Sequence, residues 1–600
     1  MLALNEYDAL GRLKSKKVGG TDVSGGAPLQ IVDYKYNIRG WLTEINDIQN
    51  LARQGNDPQN LFAFKINYTD VTDDINGAVE SLYNGNIAET FWKTSSDIVQ
   101  RKYGYSYDYQ NRLLAAFYQK PTTTIPRADS YSTEYSYDRN GNILSLKRNG
   151  QRDLATQVLA IDDLDYTYDA GNQLQKVLDK TNHPAGFNMN GAGANDTFVY
   201  DKYGNLTADP YKKISNISYN HLNLPSKITF LSGGKIEYFY DATGIKLKKK
   251  VTDGTTITTT EYMDGFQYTN NTLDFFPYSE GYVKALPAGL GGGTSYDFKY
   301  VFTYTDHLGN IRLKYAQDPS NNNQISILEE DHYYPYGFKH SGYNSFHQIF
   351  ATDDGDGPGT GIVLTPVNPF LGDSHKYKFG GKEYQDEFDV DMYDFGARNY
   401  DPALGRWMNL DPLAEMMRRH SPYNYAFNNP IFFIDPDGMA PIATDSYGMS
   451  TNTGAVESYD FGDGAGMTAV DREAEAAAPP TKFVNEKGET IANTDDKNDE
   501  TYVIRKENED SAIKELEKMV ESGDDLNPEA NKNFGNKYGY NIDNHSTEID
   551  GQTYEWDPRN DRSTMERIGY DRGFEGKSQV SGLRDITPGT SSKAKVIKMG

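Results

Sequence analysis

The sequence predicts a mainly β protein: a curled antiparallel β-sheet ribbon of Tyr-Asp repeats, forming a partial or complete shell, with a small α+β or partly disordered C-terminal tail. Three observations predict it. A Tyr-Asp phrase recurs at 107, 137, 168 and 200, steps of 30, 31 and 32 residues, within the range of structural repeats. Tyrosine is abundant, 46 residues against 4 Trp, while hydrophobic residues make up only 37% of the chain, which suits half-buried strands bearing amphipathic rings. The segments between the phrases, such as KIEYFYDA and FKYVFTYTD, alternate bulky and polar residues as strands do.

The phrase reads YDALGRL at Tyr7, YDRNGNI at Tyr137, YDKYGNL at Tyr200 and YDATGIK at Tyr240. Looser copies are YDYQNRL at Tyr107, YDAGNQL at Tyr168, YNHLNLP at Tyr219 and TDHLGNI at Thr305. Each encodes a hairpin. Tyr ends a strand, Asp accepts backbone amides two residues on, Gly141, Gly204 and Gly309 supply the positive φ of the loop, and Ile143, Leu206 and Ile311 open the return strand. Asn111 fills the glycine slot at Tyr107, being tolerant of left-handed φ.

A formal charge of −26 argues against a nucleic-acid partner for the body, because phosphate binding needs clustered cations. With no cysteine there is no disulfide, thiolate metal site or cysteine nucleophile, and the redox compartment stays open. The start, MLALNEYDALGRLKSKK, lacks the apolar run of a signal peptide, and no stretch reads as a transmembrane span. An export signal is not visible in this chain, which reads as an incomplete shell or a piece of a longer one.

From Thr305 the chain continues TDHLGNIRL, YYPYGF, KFGGKEYQDEFDVDMYDFGARNYDPALGRWMNLDP from Lys378 to Pro412, and SPYNYAFNNPIFFIDPDGMAP from Ser421 to Pro441. These phrases, with the repeats, resemble RHS/YD-repeat proteins of the polymorphic-toxin type, ending in an RHS repeat-associated core. The resemblance divides the chain into a repeat ribbon over 1–300, the core over 301–441, a Gly/Ala/Ser/Asp-rich mobile linker over 442–481 and a variable effector region over 482–600. It implies a shell that encloses its own C-terminal segment as cargo and releases it by self-cleavage. It further implies an immunity protein and a secretion-system or cell-surface partner, and a secreted or cell-surface location. No cofactor or metal is implied.

Two Asp-Pro phrases, at Asp411-Pro412 and Asp435-Pro436, bracket the end of the core. On residue type alone they are turn openers. The resemblance implies an aspartic-protease pair, Asp411 and Asp435, cutting between Met439 and Ala440; Arg406, the nearest cation in sequence, is the candidate to steady a carboxylate or the oxyanion. Such a pair works when the two carboxyls meet in a dry pocket and share one proton. Ala414 and Met439 depart from the glycine and leucine frequent in the family.

Other polar clusters carry less. Asp386, Glu387, Asp389 and Asp391 read as a solvated acidic loop, Asp353, Asp354 and Asp356 as a Gly-rich surface loop without the closing Glu of a calcium site, and His307 and His332 as packing or surface residues. In the tail, TKFVNEKGETIA and TYVIRK predict a hairpin, and DSAIKELEKMVESG from Asp510 to Gly523 predicts a helix with Ile513, Leu516, Met519 and Val520 on its apolar face. His545, Glu548 and Asp550 are a weak acid/base cluster. The alternative function is a non-enzymatic cell-surface or adhesion repeat protein that binds carbohydrate or protein, with both aspartates serving only in turns.

Overall fold

The structure is a computed structural model. It describes residues 2–443 apart from 21, 23, 56, 73–76, 124–128, 154–156, 194, 288–294, 322–323, 342–346, 353–361 and 368–374, and beyond them 482–485, 490–493, 501–522, 528–541, 546–549, 552–556 and 583–585. Two compact units result, Met1–Met467 and Thr468–Gly600.

In the first unit, strands that follow one another in sequence also pair, antiparallel throughout. A 12-stranded sheet runs from Ala3–Tyr7 to Leu174–Asp179, and an 11-stranded sheet from Ile214–Tyr219 to Ile325–Glu330. Between them Val199–Tyr200 and Leu206–Ala208 form a two-stranded sheet of their own, so the ribbon is interrupted before and after that hairpin. Between Asp179 and Val199 the side chains of Asp179, Asn188 and Asp196 cap nearby backbone amides, so the described residues of this stretch form turns rather than a ladder.

The repeat phrases sit at the hairpin turns. In the turn after Tyr137, Asp138 Oδ1 accepts the amides of Asn140 and Asn142, both at 2.8 Å, and Oδ2 accepts Asn142 Nδ2 at 2.8 Å. Gly141, Gly204 and Gly309 take φ of 85°, 83° and 75°, and Asn111 takes 62°. One copy escapes notice in the sequence: in YNIRGWL, Asn37 Oδ1 accepts the amides of Arg39 and Trp41 just as Asp138 does.

At four of these turns the phenol does more than cover the sheet. Tyr137 Oη donates to Leu113 O at 2.6 Å, Tyr168 to Ile143 O at 2.8 Å, Tyr240 to Pro225 O at 3.0 Å and Tyr36 to Leu13 O at 3.0 Å. Each acceptor opens the return strand of the preceding hairpin, so successive hairpins are tied at their turn ends. Burial holds the Tyr137 phenol well above its ordinary pKa and raises that of Tyr168 to about 12, which keeps both groups donors. The pairing register also slips at Tyr7, Tyr36, Tyr107, Tyr168 and Tyr240. Such bulges add local twist and bend a strand, and their recurrence curls the ribbon. The curl brings the first strands against the second sheet: Lys16 Nζ pairs with Glu280 at 2.9 Å and Tyr304 Oη donates to Gln30 Oε1 at 2.7 Å.

The inner faces of both sheets share one hydrophobic core with residues 379–431. A four-stranded sheet of Glu383–Gln385, Met392–Asp394, Asn399–Asp401 and Arg406–Trp407 lies there. Buried charges fix it to the ribbon. Lys246 meets Glu383 at 2.5 Å and Asp394 at 2.7 Å, Lys249 meets Glu383 at 2.7 Å and Glu387 at 2.8 Å, and Arg148, paired with Asp162 at 2.7 Å, donates to Ala403 O. The acidic loop of the sequence reading is thus corrected: Glu387 joins this cluster, Asp386 pairs with Lys376, and Asp391 accepts the Tyr384 phenol. The partner of Glu387, Lys249, comes from a strand far away in sequence, while Lys376 and Tyr384 are near neighbours.

The second unit is an α+β arrangement. The strand Lys482–Asn485 pairs antiparallel with Thr490–Asn493 and parallel with Thr501–Ile504. The sequence hairpin between TKFVNEKGETIA and TYVIRK is therefore corrected, since the first segment folds on itself and the second joins it in parallel. The helix expected over 510–523 spans Glu509–Ser522, and a second helix, Pro528–Tyr538, was not foreseen. Phe483, Tyr502, Ile504, Ala512 and Phe534 form the buried core. Ile513, placed on the apolar face by periodicity, is 38% exposed, and Ala512 is buried instead. Side chains 516–520, residues 444–481, His545 and the loop 353–361 lie outside the described residues.

As Asn37 shows, an asparagine can hold both amides of the turn, so Asp138→Asn loses only the Oδ2 acceptor of Asn142 Nδ2, which also bonds Asn172 Oδ1, and is expected to cost no more than about 1 kcal/mol, whereas Asp138→Ala removes all three acceptor bonds and costs about 1–3 kcal/mol. Thermal unfolding followed by circular dichroism checks this; equal losses in both variants would show that charge, not acceptor geometry, holds the turn.

Candidate functional site

The row of repeat turns is the platform on which the end of the core is laid. Ser421 N donates to Asn140 O at 2.7 Å, Asn428 Nδ2 to Gly141 O at 2.7 Å, Tyr423 Oη to Gly204 O at 2.9 Å and Asn409 Nδ2 to Asn205 Oδ1 at 3.1 Å. Asn429 Nδ2 reaches Asn86 Oδ1 at 3.0 Å and His307 Nε2 donates to Ile431 O at 2.9 Å. Turns between residues 86 and 309 thus seat the segment that carries both Asp-Pro phrases.

Asp411 and Asp435, 24 residues apart in sequence, meet at one guanidinium. Arg398 Nη1 lies 2.9 Å from Asp411 Oδ2 and Nη2 lies 3.0 Å from Asp435 Oδ2, while Nε donates to Gly438 O. Arg398 occupies the turn joining Met392–Asp394 to Asn399–Asp401, and its guanidinium stacks 4.2 Å over the ring of buried Trp407 on the neighbouring strand. That ring fixes the plane in which the fork can bind two carboxylates.

The second phrase forms a tight turn against this cation. Asp435 Oδ1 accepts the amides of Gly438 at 2.8 Å and Met439 at 3.0 Å, Asp437 Oδ1 accepts the Met439 amide at 3.0 Å, and Ala397 N donates to Asp437 O at 3.0 Å. Gly438 is at φ 80°, and a Cβ there would stand 3.0 Å from Arg398 N. Across the turn, Phe433–Ile434 pairs with Ile442–Ala443, so the Met439–Ala440 bond lies in a closed hairpin. A small cleft beside Asp435 is lined by Leu308, Phe379, Phe395, Tyr425 and Ile434, an apolar surround that disfavours charge.

Burial accordingly pushes the Asp435 carboxyl up to about 6, against the pull of Arg398 and with the help of Asp437 and Asp411. Asp411 is also raised by burial, with Arg398 opposing. The arrangement holds two carboxyls around one cation, the more deeply buried one favouring its protonated form, next to the backbone of Met439.

Arg406 is placed elsewhere, which corrects its sequence assignment. Its guanidinium lies 5.0 Å from the Tyr168 ring and 5.1 Å from the Tyr423 ring, and Nη2 donates to Asn172 O at 3.3 Å. It clips the core to a repeat turn. Sequence proximity to Asp411 had favoured it, whereas Arg398 arrives across a hairpin; the strand pairing of 399–401 with 406–407 is the signal that points to Arg398. His332 is buried between Glu330 at 2.7 Å and Arg312 at 3.0 Å, and His307 stacks on Phe64, so both pack. Among the described residues no group of three His, Asp or Glu is arranged to hold a metal ion.

No protein-family model matches the chain. It is similar to Salivary gland surface protein 1 of Aedes aegypti, 26% identical over 261 residues, 41% of this chain and 7% of that protein. It is also similar to Toxin subunit YenC1 of Yersinia entomophaga, 29% identical over 115 residues, 19% of this chain and 9% of that one, and to tRNA nuclease WapA of Bacillus subtilis strain 168, 23% identical over 273 residues, 40% and 11%. The chain thus spans roughly a tenth or less of these relatives' length. Among solved structures, the crystal structure of TcdB2-TccC3 aligns with 73% of this chain and 21% of its own at 15% identity and a TM-score of 0.44. The repeat turns and these sequence similarities together make the chain a distant homologue of the RHS/YD-repeat shell proteins.

Proposed function

We propose that this chain is the shell-forming part of an RHS-type polymorphic toxin that cuts itself between Met439 and Ala440 and so frees its C-terminal segment. The observation that carries the reading is the Asp411–Arg398–Asp435 bridge, with Asp435 also bonded to the amides of Gly438 and Met439. Asp411, ion-paired and ionised, takes a proton from water as the water oxygen attacks the Met439 carbonyl carbon. Protonated Asp435 gives its proton to the carbonyl oxygen. As the C–N bond breaks, the proton now on Asp411 passes to the Ala440 nitrogen and a hydroxyl of the tetrahedral intermediate returns its proton to Asp435, leaving a carboxyl group on Met439, an amine on Ala440 and both aspartates as they began.

The segment from Ala440 onward is the cargo, and the α+β unit is its folded effector part. The names of the toxin subunit and the tRNA nuclease among the relatives support a toxic cargo, which calls for an immunity protein in the producing cell, a secreted or cell-surface location and a secretion or surface partner. The second reading, a non-enzymatic surface or adhesion protein, is favoured by the similarity to a salivary gland surface protein.

A denaturing gel separates the two: self-cleavage gives two pieces, adhesion one chain of 67.4 kDa. Asp411→Asn and Asp435→Asn each keep the amide acceptors yet lose acid/base capacity, so each is expected to slow cleavage about 10²–10⁴-fold with the β fold intact. Undiminished cleavage in both would remove the catalytic reading.

Rising pH strips the proton from Asp435, so cleavage is expected to fall about tenfold per pH unit above its value of about 6. Falling pH protonates Asp411 and gives the opposite limb, placing the optimum in mild acid. Full-length chain isolated unfolded, refolded by dilution across about pH 4 to 8 and sampled over time measures the profile; a rate that climbs steadily through neutrality would contradict this assignment of acid and base.

A further inference from the structure

Arg398 contacts Asp411, Asp435 and the Gly438 carbonyl. A third carboxylate nevertheless stands in the same turn. Asp437 is 8% exposed, its carbonyl is held by Ala397 N next to Arg398, and its Oδ1 shares the Met439 amide with Asp435 Oδ1, each at 3.0 Å. An Asp two residues before an accepted amide is an ordinary turn device. Here that amide belongs to the residue whose carbonyl is attacked, and Asp435 already accepts it.

We propose that Asp437 is a positioning residue of the self-cleavage site, which holds the Met439 amide jointly with Asp435 and sets its carboxylate beside the Asp411–Asp435 pair. This deepens the self-cleavage reading and rests on it. Two carboxyls clamping one amide restrict the Met439 peptide group more than Asp435 alone, and a small misplacement of a reacting group costs large factors in rate. The charge works separately. Facing Asp435 are Arg398 from the core sheet, Asp411 from the segment after Arg406–Trp407, Asp437 from its own turn and the buried, neutral phenol of Tyr425. One cation cannot balance three carboxylates, and the Asp437 charge raises the proton affinity of both Asp435 and Asp411. Asp437 touches neither the water nor the leaving nitrogen in the scheme above, so it acts through Met439 and the pair.

The test compares full-length native chain, Asp437→Asn, Asp437→Ala and Asp435→Asn, each refolded from denaturant over a pH series and followed by denaturing gel, with thermal unfolding as a fold check. Asp437→Asn keeps the amide acceptor and loses the charge. It is expected to cleave within about threefold of native at its optimum, with the high-pH limb moved at least about half a unit lower. Asp437→Ala loses both and is expected to cleave about tenfold more slowly, with the same displaced limb. Native rates and an unmoved limb in both Asp437 variants, with Asp435→Asn inert, would overturn the role of Asp437 and leave self-cleavage standing. A slow Asp437→Ala beside an unmoved limb in Asp437→Asn would also overturn it, reducing Asp437 to a turn residue. Full cleavage by Asp435→Asn would instead defeat the self-cleavage reading itself.

Discussion

At Tyr36, Tyr137, Tyr168 and Tyr240 a hairpin of the ribbon is tied to the one before it by a phenol that donates to the first carbonyl of the preceding return strand. A ladder bond holds two strands side by side; this bond holds two turns in line. A typical bond of this kind contributes about 1 kcal/mol net, so no single one dictates the fold. Repetition does. With a register slip at the same tyrosines, the turns form an ordered row and the sheet bends in one sense, which lets the inner face close on a common core.

That row explains how a site of loops and very short strands is held still. The segment between Arg406 and Ile431 has little ladder of its own; its backbone, the amides of Asn428 and Asn429, the Arg406 guanidinium and the Tyr423 phenol bond instead to turns at Asn86, Asn140, Gly141, Asn172 and Gly204. Asparagine suits this task because its amide both donates and accepts. Buried charges complete the attachment. A buried ion pair adds little net stability but penalises any placement that separates it, so Arg148 with Asp162 and the Lys246, Lys249 and Glu383 cluster act mainly to specify where the core sheet sits.

The site follows the same economy of partners. One guanidinium, flattened on Trp407, serves two carboxylates and a backbone carbonyl. A second cation would have stabilised every carboxyl as an anion. With a single cation in an apolar surround, a proton is retained in mild acid, and the molecule carries an acid and a base from two residues of one type.

The repeats were legible because a hairpin turn is a local matter: left-handed φ, an amide acceptor and alternating strands are written within a dozen residues, and Gly141, Gly204, Gly309 and Asn111 take the conformations their types predict. The Asn37 copy passed unseen because asparagine replaces the expected aspartate while keeping its acceptor. In the second unit, the helix near 510–523 followed from its local periodicity, while the parallel pairing of Lys482–Asn485 with Thr501–Ile504 did not, since pairing across intervening chain leaves no local mark. The sequence by itself determined the strands, their turns and the two aspartates at the end of the core. Only the tertiary structure decided that the ribbon breaks after Asp179, that Arg398 and not Arg406 stands between Asp411 and Asp435, and that Glu387 is paired inside, because a charge takes as partner whatever the packing brings within about 3 Å, whether the chain places it five residues away or a hundred and fifty.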